Sequence, residues 1–180
     1  ILIFDGDVGI SRSDPLDDSS NFPGTRPLDG HNDVIDTEIY SMSLVGGGGI
    51  TLTAGGGVLT PGGVILRPTL GTIAEQSGND AMADSFFDVF FEIDRGAGPN
   101  RYLYNLDPAR IQAPLEKVPP KDKRYLHLQG CVPLYTSPIP GQGVLVAHLS
   151  HAQHCIGGPC PDTGACCNKD EGICRADVRF

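Results

Sequence analysis

The sequence predicts a mainly β protein, an antiparallel β-sandwich of immunoglobulin-like or jelly-roll-like type with a disulfide-stapled C-terminal tail. Three observations predict it. Glycine and proline are abundant, 24 and 15 of 180 residues, which suits many short strands joined by tight turns. The run FFDVFFEID at residues 86–94 places Phe87, Val89, Phe91 and Ile93 on one side and Phe86, Asp88, Phe90, Glu92 and Asp94 on the other. That is the period of a strand and not of a helix. Five of the six cysteines lie in the closing stretch CIGGPCPDTGACCNKDEGIC, which has almost no apolar residues to bury.

Taken in order, residues 1–10 read as a strand, with Ile1, Ile3 and Val8 opposing Leu2, Phe4 and Ile10. Residues 11–36 read as loop, rich in Ser, Asp, Pro and Gly. Residues 37–45 read as a half-buried strand in which Tyr40, Met42 and Leu44 alternate with Ser41 and Ser43. A glycine turn follows, then a partner strand in which Ile50 and Leu52 alternate with Thr51 and Thr53. Residues 84–104 read as a hairpin turning at 95–99. Residues 107–117 suit a short helix, with Asp107 as cap, Pro108 at the first position and Pro114 limiting it to about two turns. Late strands fall at 124–128 and 143–149, bringing the expected total to about eight. Residues 1–150 are expected to form the sandwich body and 151–180 the cysteine-rich tail. A body of that size buries about 70% of its unfolded surface, enough for a core.

The formal net charge is −9, with a pI near 4.8. With no basic patch, nucleic acid and anionic membrane surfaces are not expected partners. No apolar run approaches the ~18 residues a membrane-spanning helix needs. The chain opens ILIFDG without an initiator Met or a basic leader. It therefore reads as a secreted protein whose signal peptide has been removed, or as a fragment. Cysteine density supports an extracellular or cell-surface location.

Cys131, Cys155, Cys160, Cys166, Cys167 and Cys174 are read as three disulfides, with 15 connectivities open. A bond from Cys131 would pin the tail to the body. Oxygen-rich loops suit calcium. Asp29, Asn32, Asp33 and Asp36 in DGHNDVID are the first candidates, beside the group Asp5, Asp7, Asp14, Asp17 and Asp18. His148, His151 and His154, next to Cys155, are a second candidate set for a transition metal. Asp88, Glu92 and Asp94 share one strand face without an evident pocket. No GxSxG, HExxH or GxxxxGK[ST] motif occurs, so no enzyme activity and no cofactor beyond calcium are expected.

VIDTEIYSMSL at 34–44 and MADSFFDVFFEID at 82–94 resemble uncharacterised secreted β-rich proteins of environmental bacteria. TGACCNKDEGIC at 163–174 resembles the short GACC-type cysteine modules near the ends of such proteins. The resemblance implies no particular activity. The predicted architecture is also similar to extracellular matrix-fibre and pilus subunits, in which a β-sandwich accepts a neighbour's terminal strand.

The sequence therefore suggests a structural subunit of an extracellular filament, surface layer or biofilm matrix. Ile1, Ile3, Phe4, Val8 and Ile10 would add as a strand to a neighbour's sheet, and the expected partner is a second copy, giving a helical homopolymer. The alternative is a secreted glycan-binding module. Without tryptophan, its stacking platform would rest on Tyr40, Tyr102, Tyr104, Tyr125 or Tyr135.

Overall fold

Alternating apolar and polar residues, punctuated by glycine, build strands almost throughout. The computed structural model describes residues 2–13, 33–118, 120, 123–127, 130–156 and 173–179. Their strands are β1 (Leu2–Arg12), β2 (Val34–Gly46), β3 (Thr51–Ala54), β4 (Thr69–Gln76), β5 (Asn79–Val89) and β6 (Phe91–Asp94). These are followed by β7 (Tyr102–Asn105), β8 (Ala109–Leu115), β9 (Lys123–Leu126), β10 (Val132–Tyr135), β11 (Leu145–Ile156) and β12 (Ile173–Arg179). Among the described residues there is no α-helix.

The pairing follows one continuous antiparallel sheet rather than two separate ones. Four pairs of strands act as single bent ribs: β3 with β4, β5 with β6, β7 with β8, and β9 with β10. Thus β2 pairs with β3 through Met42–Val45 and with β4 through Val34–Ile39. The next ribs repeat the pattern, β3 to β6 and β4 to β5, then β6 to β7 and β5 to β8. The β9–β10 rib pairs with the β7–β8 rib on one side and with both halves of β11 on the other. β12 then joins β11 to β1, and β1 joins β2. Each rib pairs with its neighbours in the chain, and the first and last ribs meet. The ladder is that of a closed, eight-rib, up-and-down barrel, which leaves no sheet edge along its circumference.

The interior is filled by side chains. Phe4, Ile39, Leu44, Ile73, Ile93, Leu103, Leu115, Tyr125 and Leu134 are all fully buried. Each large apolar side chain buried this way contributes on the order of 2 kcal/mol of transfer free energy. Phe87, Val89, Phe91 and Ile93 belong to the core as predicted over 86–94, and Asp88 and Phe90 do not, but past Phe90 the other face is buried too, at Glu92 and Asp94.

Several expectations change. Residues 107–117 form strand β8 instead of a helix. Ala109, Ile111, Ala113 and Leu115 point inward and Gln112 and Pro114 outward, so period two overrides the helix-start signal. Tyr40 is not a core residue. The register steps from Gly9↔Ser41 to Ile10↔Ile39, so Tyr40 is the extra residue of a bulge and is 53% exposed. The single strand expected at 86–94 breaks at Phe90. There Asn105 accepts a hydrogen bond from the Phe91 amide and donates to the Val89 carbonyl. The Asn105 side chain thereby takes the place of ladder bonds at the bend between β5 and β6. His127 has the same role where β9 gives way to β10, its two ring nitrogens 2.8 and 2.9 Å from the Arg110 and Gly130 carbonyl oxygens.

The cysteine-rich stretch is not an appendage to the barrel at both its ends. β11 crosses the expected boundary and runs to Ile156, and β12 is the rib between β11 and β1.

Two inward hydroxyls lack partners: Thr37 Oγ1 and Thr69 Oγ1 make no hydrogen bond, and Thr69 is fully buried. A buried unpaired hydroxyl is a liability. Thr69→Val, nearly isosteric and suited to a strand, is expected to raise unfolding free energy by about 1 kcal/mol in denaturant titration. A loss of stability would show that the hydroxyl is engaged.

Candidate functional site

The outer wall formed by β2, β4, β5, β8 and β9 carries open, chemically mixed surface. Register sets it out in rows. Asp36 lies opposite Thr72, Thr72 opposite Phe86, Phe86 opposite Gln112, and Gln112 opposite Leu126. Beside this row, Leu70 and Asp88 line one groove, and Asp88 faces Arg110. Two grooves of about 390 and 370 Å³ flank Phe86, one bounded by Asp36, Leu70, Thr72 and Asp88, the other by Asp84, Gln112, Pro114, Arg124 and Leu126.

Phe86 is held in place. The Arg110 guanidinium lies 4.0 Å from its ring centroid. Arg110 is in turn forked onto Asp88, Nε to Oδ1 at 2.7 Å and the terminal nitrogen to Oδ2 at 2.5 Å. The hydrogen bond from Arg110 to Asp88 pushes the guanidinium pKa up. Asp84 accepts a bond from Gln76 Nε2 at 2.9 Å.

The remaining carboxyls of that strand face are structural. Glu92 is 1% exposed beneath residues 55–68, which join β3 to β4. It accepts from the Thr60 hydroxyl at 2.5 Å and from the Gly62 amide at 3.0 Å. Tyr104, its cross-strand partner, is its third donor. Burial first, and then the bond to Glu92, push the Tyr104 phenol well above its ordinary pKa. Asp94 is forked onto Arg101 and bonded by the Gly96 amide, and the Arg101 bond holds its carboxyl below the usual range. Asp88, Glu92 and Asp94 are thus committed to three separate partners and do not form an acid–base pair.

The other candidates separate as well. Asp33 is buried and its amide donates to Glu75, whereas Asp36 lies on the outer wall; Asp29 and Asn32 fall outside the described residues. Asp33 and Asp36 therefore do not converge as calcium ligands. His148 is exposed and His154 is buried, because a bulge between Leu149 and His151 reverses the alternation of β11. The His151 side chain lies outside the described residues. Among the described residues no three of His, Cys, Asp and Glu are placed to hold a metal ion.

Cys131 is exposed and free, so it does not clamp the cysteine-rich stretch to the barrel as expected. Cys155 is buried and disulfide-bonded. Cys160, Cys166 and Cys167 lie outside the described residues, as does the side chain of Cys174. Of the assembly residues, Phe4 is fully buried, and Val8 and Ile10 pack on the core. Ile1 and the side chain of Ile3 are outside the described residues. Of the tyrosines, Tyr104 and Tyr125 are buried, and Tyr125 donates to Ser85 Oγ at 2.9 Å inside the barrel. Tyr102 lies under Arg101, 4.8 Å from its ring centroid. No tyrosine platform is assembled from them. The outer-wall cluster at Phe86 was missed because its members come from five strands distant in sequence, and only register brings them together.

Burial pushes the His154 imidazole down to about 4. The folded protein holds it neutral, while the unfolded chain takes up a proton near 6.5. Its contribution to stability is full above pH 6.5 and is lost as pH falls toward 4, a change of roughly 3 kcal/mol. Urea titrations at pH 7 and pH 4.5 should show this loss in the wild type and a much smaller one in His154→Gln. Equal losses in both would place the acid sensitivity elsewhere.

Compared with known protein families, curated proteins and solved structures, the chain matches none.

Proposed function

We propose that the protein is a structural subunit of an extracellular assembly whose copies join by exchanging β1. The observation that carries this reading is the seam at β1. Strand β1 lies beside β2 over nine residues, and Ser13 still bonds Asp36 where β1 ends. A hairpin of two to five residues would close such a pair. Instead twenty-one residues separate Arg12 from Val34, a reach of roughly 70 Å when extended. The strand can therefore enter the slot between β2 and β12 of its own barrel or of a neighbour, with the same ladder and the same burial of Phe4 in both. Head-to-tail exchange of this kind does not close on itself and generates a helical homopolymer.

Apolar side chains left outside the core support contact between copies. Leu59 and Ile65 are 68% and 69% exposed, and Val144 and Ile139 are 69% and 51% exposed. Ile65 and Pro138 line one cleft, so residues 55–68 and the β10–β11 loop lie side by side there. The chain's cysteine content suits an oxidising location outside the cell. Negative-stain microscopy of the concentrated protein should show filaments. Monodisperse particles at every concentration would count against the reading.

A further inference from the structure

We propose that the two grooves flanking Phe86 bind a neutral oligosaccharide chain, a site that involves neither β1 nor β12 and stands apart from strand exchange. A sugar ring offers an apolar C–H face and a rim of hydroxyls that both donate and accept. Its binding site needs an aromatic or aliphatic platform flanked by planar polar groups of both kinds. The outer wall supplies these along the row through Phe86 and beside it. Phe86 is the platform at the centre, and Leu70 and Leu126 extend it on either side. The Asp36 carboxylate, the Thr72 hydroxyl, the Gln112 amide and the Arg124 guanidinium are within the same two grooves.

The ring is preorganised. Arg110 packs on one face of Phe86 and is itself fixed by Asp88, so the ring has little side-chain freedom to lose when a sugar meets its other face. The grooves are similar in volume, lie side by side and share one residue. Strands sit ~4.8 Å apart, so five of them offer a path of about 19 Å. An open path with two adjoining cups suits the interior of a chain rather than a single sugar or a chain end. Charge selects among glycans. Asp88 and Arg110 neutralise each other, which leaves Asp36 and Asp84 against the one groove-lining arginine, Arg124, and a net negative path. An anionic polysaccharide meets repulsion there, and a neutral one does not.

The test is calorimetric titration of the full chain with neutral hexaoses (β-1,4-glucan, β-1,3-glucan, β-1,4-mannan and α-1,4-glucan) and with an anionic control, hexameric alginate. At least one neutral hexaose is expected to bind, with alginate weaker by about tenfold or more. Phe86→Ala should weaken binding by about tenfold and Gln112→Ala by about threefold, while Leu59→Ala, outside the grooves, should leave it unchanged. Gln112 is exposed on the outer wall, so that variant keeps the test open if Phe86→Ala does not fold. Absence of binding to every neutral hexaose, preference for alginate, or wild-type affinity in Gln112→Ala together with a folded Phe86→Ala would each overturn the proposal.

Discussion

Gly6→Ala is expected to lower the unfolding free energy by about 3 kcal/mol or more, and the melting temperature by roughly 6–12 °C. The cause is the tightness of the β1–β2 seam. A Cβ on Gly6 would overlap the backbone carbonyl oxygen of Ser43 and come within 2.9 Å of Leu44 Cα. Both obstacles are backbone on a paired strand and cannot swing aside as a side chain would. The chain must lift β1 from β2 or distort the ladder, and either change exposes Phe4. Gly47→Ala is the control, since nothing lies within 4 Å of the added Cβ there. It should change stability by no more than about 0.5 kcal/mol. If the two variants melt together, β1 is not seated as described.

The second large effect is at Glu92. Its carboxyl group receives the Thr60 hydroxyl, the Gly62 amide and the Tyr104 phenol, and it is almost wholly buried. Glu92→Ala strands three donors under residues 55–68 and leaves a cavity. Each stranded donor costs about 1–3 kcal/mol. Partial release of the covering segment to water recovers some of that, so a net loss of about 4 kcal/mol is expected. Thermal melting reports the loss, and limited proteolysis reports its location, as new cleavage within residues 57–66. Glu92→Gln should fall between wild type and Glu92→Ala, because an amide keeps one acceptor and turns its other end into a donor facing donors. An alanine variant that melts and resists protease as the wild type does would remove Glu92 as the latch of this segment.

The strands whose alternation is strict were legible in the sequence. FFDVFFEID reads as inward and outward residues without structural help, and its apolar inward set matches the core, although Glu92 and Asp94 on the other face are buried as well. What was not legible depends on partners far along the chain. The break at Phe90 is set by the Asn105 side chain, and nothing near Phe90 announces it. Tyr40 looks like a core residue until the bulge opposite Gly9 and Ile10 reverses its direction. Asp107 and Pro108 imitate a helix start, but Ala109, Ile111, Ala113 and Leu115 bury one strand face in the barrel. The same limit hid the Phe86 grooves, which need the register of five strands, and it left Cys155 looking like part of a loose tail when it belongs to β11.

Exchange of β1 between copies is the central claim, and a cross-link across the seam tests it most directly. Asp7 and Ser43 face each other between β1 and β2, and both are exposed. Directly opposed strand residues bring their Cβ atoms to about 5 Å, close to what a disulfide spans. The double variant Asp7→Cys/Ser43→Cys, made in a Cys131→Ser background, would be assembled at high concentration, oxidised and run on a non-reducing denaturing gel. Exchange predicts a ladder of covalent dimers, trimers and longer chains that reducing agent collapses to monomer. A single monomer band carrying the bond within each chain would contradict it.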